Sequence, residues 1–177
     1  MMRRGFTLLE LLVVIAIAAI LLAVGVPALA EWVDRYRVES EARAFQAALT
    51  QARSEALGRG QRVVLAPLPG GWSQGWRLFV DGNRSGEFEP DSDPNDASGS
   101  GDRELIAHLS AAQVAIVADF GSAWGERIIF LPGAYVRGAG GSELAGRMGF
   151  GSGRLIRSVC LSALGRNQMV AGETCPA

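Results

Sequence analysis

The sequence predicts an α+β chain: one long N-terminal helix, then a head domain of antiparallel β-strands. Three observations carry this reading. Positions 11–30 contain no charged residue, a run of about 30 Å as helix and enough to cross a hydrocarbon core. Beyond it Val38, Ala42, Phe45, Leu49, Ala52 and Ala56 recur at steps of three and four, the spacing of one amphipathic helical face. After Gly60 this period vanishes, and short β-prone runs alternate with Gly, Pro, Asn and Asp.

In chain order, residues 1–5 (Met1-Met2-Arg3-Arg4-Gly5) form a short basic leader. Residues 6–30 make a transmembrane helix and 31–58 its amphipathic extension, with Gly58 and Gly60 as the stop. Glu31–Arg35 and Glu39–Arg43 are opposite charges four apart, which support the outer surface of a helix. A helix from Phe6 to about Leu57 would measure roughly 78 Å. Pro27 should bend it, because proline lacks an N–H and clashes with the preceding turn. The head occupies 61–177, with strands expected at 62–66, 76–80, 114–117, 127–131, 155–161 and 168–170. It should be sandwich-like, with the amphipathic helix covering one face. Segment 87–102 is rich in Asp, Ser, Gly and Pro and reads as a mobile surface loop.

With 177 residues the chain holds one ordinary domain after its apolar run. All 17 basic residues are arginine, and the formal net charge of −1 argues against a globally basic nucleic-acid binder. Charge is unevenly spread. Between Asp81 and Asp119 acids far outnumber Arg84 and Arg103, whereas from Phe120 onward arginines outnumber Glu126, Glu143 and Glu173. The asymmetry suits head-to-tail packing or an anionic partner, or else ordinary solvated faces.

Glu10 stands alone at the mouth of the apolar run. A carboxylate beside lipid is expensive and by default needs a partner. Arg3 and Arg4 keep the leader on the cytoplasmic side, so the head faces outward. An ordinary secretory signal would be cut after Ala28-Leu29-Ala30, and a plain membrane anchor would remain uncut. Neither accounts for Glu10.

The leader, Phe6-Thr7-Leu8-Leu9-Glu10 and the apolar helix with Pro27 resemble the class III signal of type IV pilins and of the pseudopilins of type II secretion. Ala52-Arg53-Ser54-Glu55-Ala56, Gln61-Arg62-Val63-Val64-Leu65 and Gly75-Trp76-Arg77-Leu78-Phe79-Val80-Asp81-Gly82-Asn83 resemble the H-type pseudopilin and FimT/FimU-type minor pilin group. So does Arg157-Ser158-Val159-Cys160-Leu161-Ser162-Ala163-Leu164-Gly165-Arg166 near the end. The resemblance implies a pilin-like fold and a structural subunit of a type II secretion pseudopilus or a type IV pilus. It also implies cleavage by a prepilin peptidase between Gly5 and Phe6, methylation of the Phe6 amine, and docking of Glu10 to the N-terminal amine of a neighbouring subunit. The expected partners are other pilins or pseudopilins, the peptidase and the bacterial inner membrane. The head would then be periplasmic, until the subunit is extracted into a filament.

Other chemistry finds little support in the residues. On this topology Cys160 and Cys175 meet an oxidising compartment, so a disulfide is the natural assignment. The single histidine, His108, has no ligand cluster or nucleophile beside it, so neither a metal, a cofactor nor an enzyme is expected. Asp81-x-Asn83-x-Ser85-Gly86 imitates half a calcium loop, but position twelve is Ser92 rather than Glu, and a Gly/Asn turn is the better reading. Asp91 and Asp93 flank that position. Some FimT-like pilins bind DNA through a Gly-Arg-x-Arg turn. Here the matching stretch is Gly165-Arg166-Asn167-Gln168, without the second arginine. Arg154 and Arg157 lie nearby in sequence and complete an alternative, DNA-binding reading through phosphate contacts. A scaffold role is the main expectation.

Overall fold

The computed structural model of the protein describes residues 8–90, 101–110, 114–119, 127–133, 135–138, 141 and 145–176. One helix, α1, spans Leu8–Arg59 and includes Pro27. The chain divides into two compact units, residues 1–36 and residues 37–177. In the second, the remaining turns of α1 join nine strands: β1 (Val63–Leu68), β2 (Gly71–Val80), β3 (Arg103–Leu109), β4 (Ala115–Asp119), β5 (Ile128–Phe130), β6 (Val136–Arg137), β7 (Gly146–Ser152), β8 (Leu155–Leu161) and β9 (Asn167–Ala171). They form a five-stranded sheet in the order β3-β2-β1-β5-β6 and a four-stranded sheet in the order β4-β7-β8-β9. All neighbouring strands are antiparallel.

The amphipathic face expected on α1 is the face that is buried. Val38, Ala42, Phe45, Leu49, Ala52 and Ala56 all lie in the core, joined by Ala48 and Glu41. On the opposite side Arg43 pairs with Glu39 at 2.7 Å. The helical face meets Val63, Leu65, Trp76, Leu78, Ile128 and Phe130 of the larger sheet and Met148, Phe150, Val159 and Leu161 of the smaller one. At its centre the Phe45 ring makes edge contacts with Trp72 and Trp76 and a tilted contact with Phe150, with centroids 5.9, 5.2 and 5.6 Å away. Such pairs add to the free energy of area burial.

The larger sheet is covered on both faces, which explains its uninterrupted apolar runs. Register places Val64 beside both Phe79 and Ile129, a row on the face away from α1. Phe88 closes over that row, 5.3 Å from Phe79, and the Arg77 guanidinium lies 4.0 Å over the Phe88 ring. The expected loop 87–102 is therefore anchored at its start by Phe88, while 91–100 lie outside the described residues.

Strands β3, β6 and β7 lie outside the runs expected from sequence, and for β7 and β3 the structure gives a physical reason. Strand β7 reads Gly-Arg-Met-Gly-Phe-Gly-Ser, and its glycines lower any β-propensity estimate. Its alternation survives in Met148 and Phe150, both fully buried. Strand β3 pairs with β2 across Gly75, whose φ is 127°. A Cβ at Gly75 would stand 2.0 Å from the carbonyl oxygen of His108. Glycine there lets β2 start at Gly71 rather than Trp76, and lets β3 come alongside.

Because Phe45 joins the helix to both sheets, Phe45→Ala should lower stability by about 3–5 kcal/mol. A denaturant titration should show a lower midpoint at unchanged slope. An unchanged midpoint would contradict the central packing role.

Candidate functional site

Two regions carry the residues singled out by sequence: the N-terminal half of α1 and the charged turns of the head. Every residue from Leu8 to Trp32 is exposed. The 52-residue helix meets the length and composition required to cross a membrane. This apolar surface far exceeds the few hundred Å² that soluble monomers usually leave open. Glu10 lies in the first turn of α1, exposed at the start of that surface. A carboxylate there also complements the positive end of the helix dipole, the least specific role available to it. Gly5 and Phe6 lie outside the described residues. Pro27 falls within α1, where it removes one backbone donor from the exposed segment.

In the head, the calcium-like stretch is a pinned turn. Asp81 is buried, its Oδ2 accepting the Gly86 N–H at 3.1 Å and standing 2.9 Å from Nε of Arg62, outside hydrogen-bond alignment. The Asn83 side-chain oxygen accepts the Ser85 N–H, and Arg84 takes a positive φ of 64°. Arg127 reaches back from the start of β5 to the Ser85 carbonyl and Glu87. The cations thus come from Arg62 and Arg127, at the ends of neighbouring strands. Asp91 and Asp93 lie outside the described residues.

Asp102 was not legible as a structural residue. Its carboxylate accepts the Gly82 N–H at 3.1 Å and the Glu89 N–H at 2.8 Å, closing the base of the acidic segment. Burial pushes this carboxyl above its ordinary value; the two N–H donors oppose the rise, and Asp81 and Glu89 add to it. A raised acid is stabilising in its protonated form. Its contribution is full below the unfolded-state value and is lost as pH rises through the folded one.

A second missed pair is Glu41 and His108. Glu41 interrupts the apolar face of α1 and is buried, with its Oε2 2.9 Å from Nε2 of His108 on β3. The imidazole stacks on Trp76 at 4.2 Å. The signal was available: a carboxylate three residues after Val38 and four before Phe45 falls on the buried stripe. The lone histidine therefore ties the edge strand β3 to the helix.

The three candidate DNA-contacting arginines do not converge. Arg154 sits exposed in the β7–β8 turn, Arg157 is half-buried on β8, and Arg166 is exposed in the β8–β9 turn. Strand β8 separates Arg154 from Arg166 by about 20 Å. The turn around Arg166 is held locally, with Ser162 accepting its N–H and Arg53 donating to the Gly165 carbonyl. Cys160 and Cys175 form a disulfide with a Cα separation of 5.8 Å. It ties the C-terminal tail to β8, as does the 2.6 Å hydrogen bond from the Ser158 hydroxyl to the Gly172 carbonyl.

A family model described as type II transport protein GspH matches residues 41–165, and one for the prokaryotic N-terminal methylation motif matches residues 1–26. The chain is 39% identical over 90 residues to the pilin-like protein PilA1 of Thermus thermophilus. That alignment covers 51% of this chain and 56% of the relative, so the chain spans little more than half the relative's length. Two crystal structures of the type IV minor pilin FimU from Pseudomonas aeruginosa match with TM-scores of 0.50 and 0.54. Identity is 23% and 22%, over 78% and 82% of this chain and 99% of FimU. This likeness speaks to the fold.

The disulfide closes a loop of 15 residues, and Cys175→Ser should destabilise the head by about 3 kcal/mol in the chain-entropy account. Thermal melting of oxidised wild type against the variant checks this. Equal melting temperatures would contradict it.

Proposed function

The chain belongs to the GspH family of type II transport proteins, and from that premise we propose that it is a minor pilin or pseudopilin. In this reading it is a structural, non-enzymatic subunit of a type II secretion pseudopilus or a type IV pilus. The observation that carries it is the exposed apolar half of α1 with Glu10 at its start, within the segment matched by the methylation motif. A head with its own core leaves that surface for the membrane first and for neighbouring helices afterwards.

The resemblance to prepilins supplies the mechanism. A prepilin peptidase cuts between Gly5 and Phe6 and methylates the new amine of Phe6. The Glu10 carboxylate then meets the N-terminal amine of an adjacent subunit. In a helix bundle of low dielectric the two charges attract strongly, and each relieves the other's desolvation cost. Pro27 lets the helix bend as it packs. Before assembly the subunit resides in the inner membrane, leader inside and head in the periplasm, consistent with Arg3 and Arg4. The head sets the choice of neighbours through its pinned turns and uneven charge.

Glu10→Ala should leave leader cleavage and head folding intact while abolishing recovery of the subunit in sheared filaments, as read by immunoblotting. Normal recovery of the cleaved variant would remove the docking role.

A further inference from the structure

Trp32 and Tyr36 are placed unlike the other described aromatic residues. Apart from Tyr135, all of those are buried or half-buried in the head. Trp32 and Tyr36 are 62% and 64% exposed. They sit four residues apart on α1, and their rings stack at 5.9 Å with 18° between planes. The pair thus makes one continuous aromatic plate on the helix surface, with an indole N–H and a phenol O–H as polar handles. It lies where the composition changes. Everything from Leu11 to Ala30 is uncharged, whereas Glu31, Asp34, Arg35 and Arg37 surround the pair.

Amphipathic rings at the end of a hydrocarbon-length run are suited to the headgroup region of a bilayer, and Trp and Tyr concentrate at that depth. The spacing adds a second argument. Trp32 follows Glu10 by 22 residues, about 33 Å of helix against a hydrocarbon core of about 30 Å. With Trp32 at one interface, Glu10 falls at the opposite one, wetted by headgroups.

We propose that Trp32 and Tyr36 form an interfacial anchor against the outer-leaflet headgroups, setting the depth of the helix and holding Glu10 at the cytoplasmic interface before assembly. The anchor rests on the membrane-spanning reading of α1. It gives the carboxylate a low-cost waiting position, since a charge costs more at the bilayer centre than near the surface. Lifting the helix into a filament moves Glu10 from headgroups into the apolar interior, where an amine partner becomes necessary.

The test uses the full chain in phosphatidylethanolamine–phosphatidylglycerol vesicles containing lipids brominated near the top or near the end of the acyl chains. The Trp32 contribution is the emission of wild type minus that of Trp32→Phe. A chain that resists carbonate extraction and loses more Trp32 emission to the shallow bromines than to the deep ones supports the anchor. Resistance to extraction with deeper quenching at the chain ends, or none at either depth, overturns the anchor and leaves the span standing. Extraction by carbonate overturns both.

Discussion

Cover for apolar side chains changes abruptly along α1, and the rest of the molecule depends on that change. From Val38 to Ala56 the helical stripe is sealed beneath two sheets; from Leu8 to Trp32 every residue is exposed. Leaving about twenty apolar side chains in water costs on the order of tens of kcal/mol, more than the net stability of a whole domain. The N-terminal half therefore requires lipid or other helices.

The head meets the opposite requirement, to be complete in itself. Its larger sheet buries both faces, one under α1 and one under Phe88. Charged groups fasten one stretch of chain to another: Asp81 with Arg62, Arg127 with Glu87, and Asp102 with two backbone N–H groups. Arg127, one of the arginines that in sequence form a basic counterpart to the acidic segment, is an internal partner of it. The disulfide finishes the work at the C-terminus by fixing the tail to β8.

Much of this was readable from periodicity. The stripe from Val38 to Ala56 follows from burial of one helical face, and the apolar runs 63–65 and 128–130 from burial on both faces of the larger sheet. What escaped has physical causes. Strand β7 hides behind glycines that its cross-strand neighbours tolerate, and β3 depends on the close approach that only Gly75 allows. Pairings far apart in sequence, such as Glu41 with His108, have no local signature beyond a charge on an apolar stripe. For the functional region the balance was reversed. The N-terminal motif is legible because it is a linear pattern, matched over residues 1–26, that needs no folded pocket.

In the proposed function the first thirty residues act as an assembly helix with a short, removable leader. Mass spectrometry of the N-terminus from cells that also carry the filament machinery addresses this directly. A mature chain beginning at N-methylated Phe6 is the predicted result. A chain beginning at Glu31, cut as an ordinary secretory signal, or one retaining Met1, would contradict it.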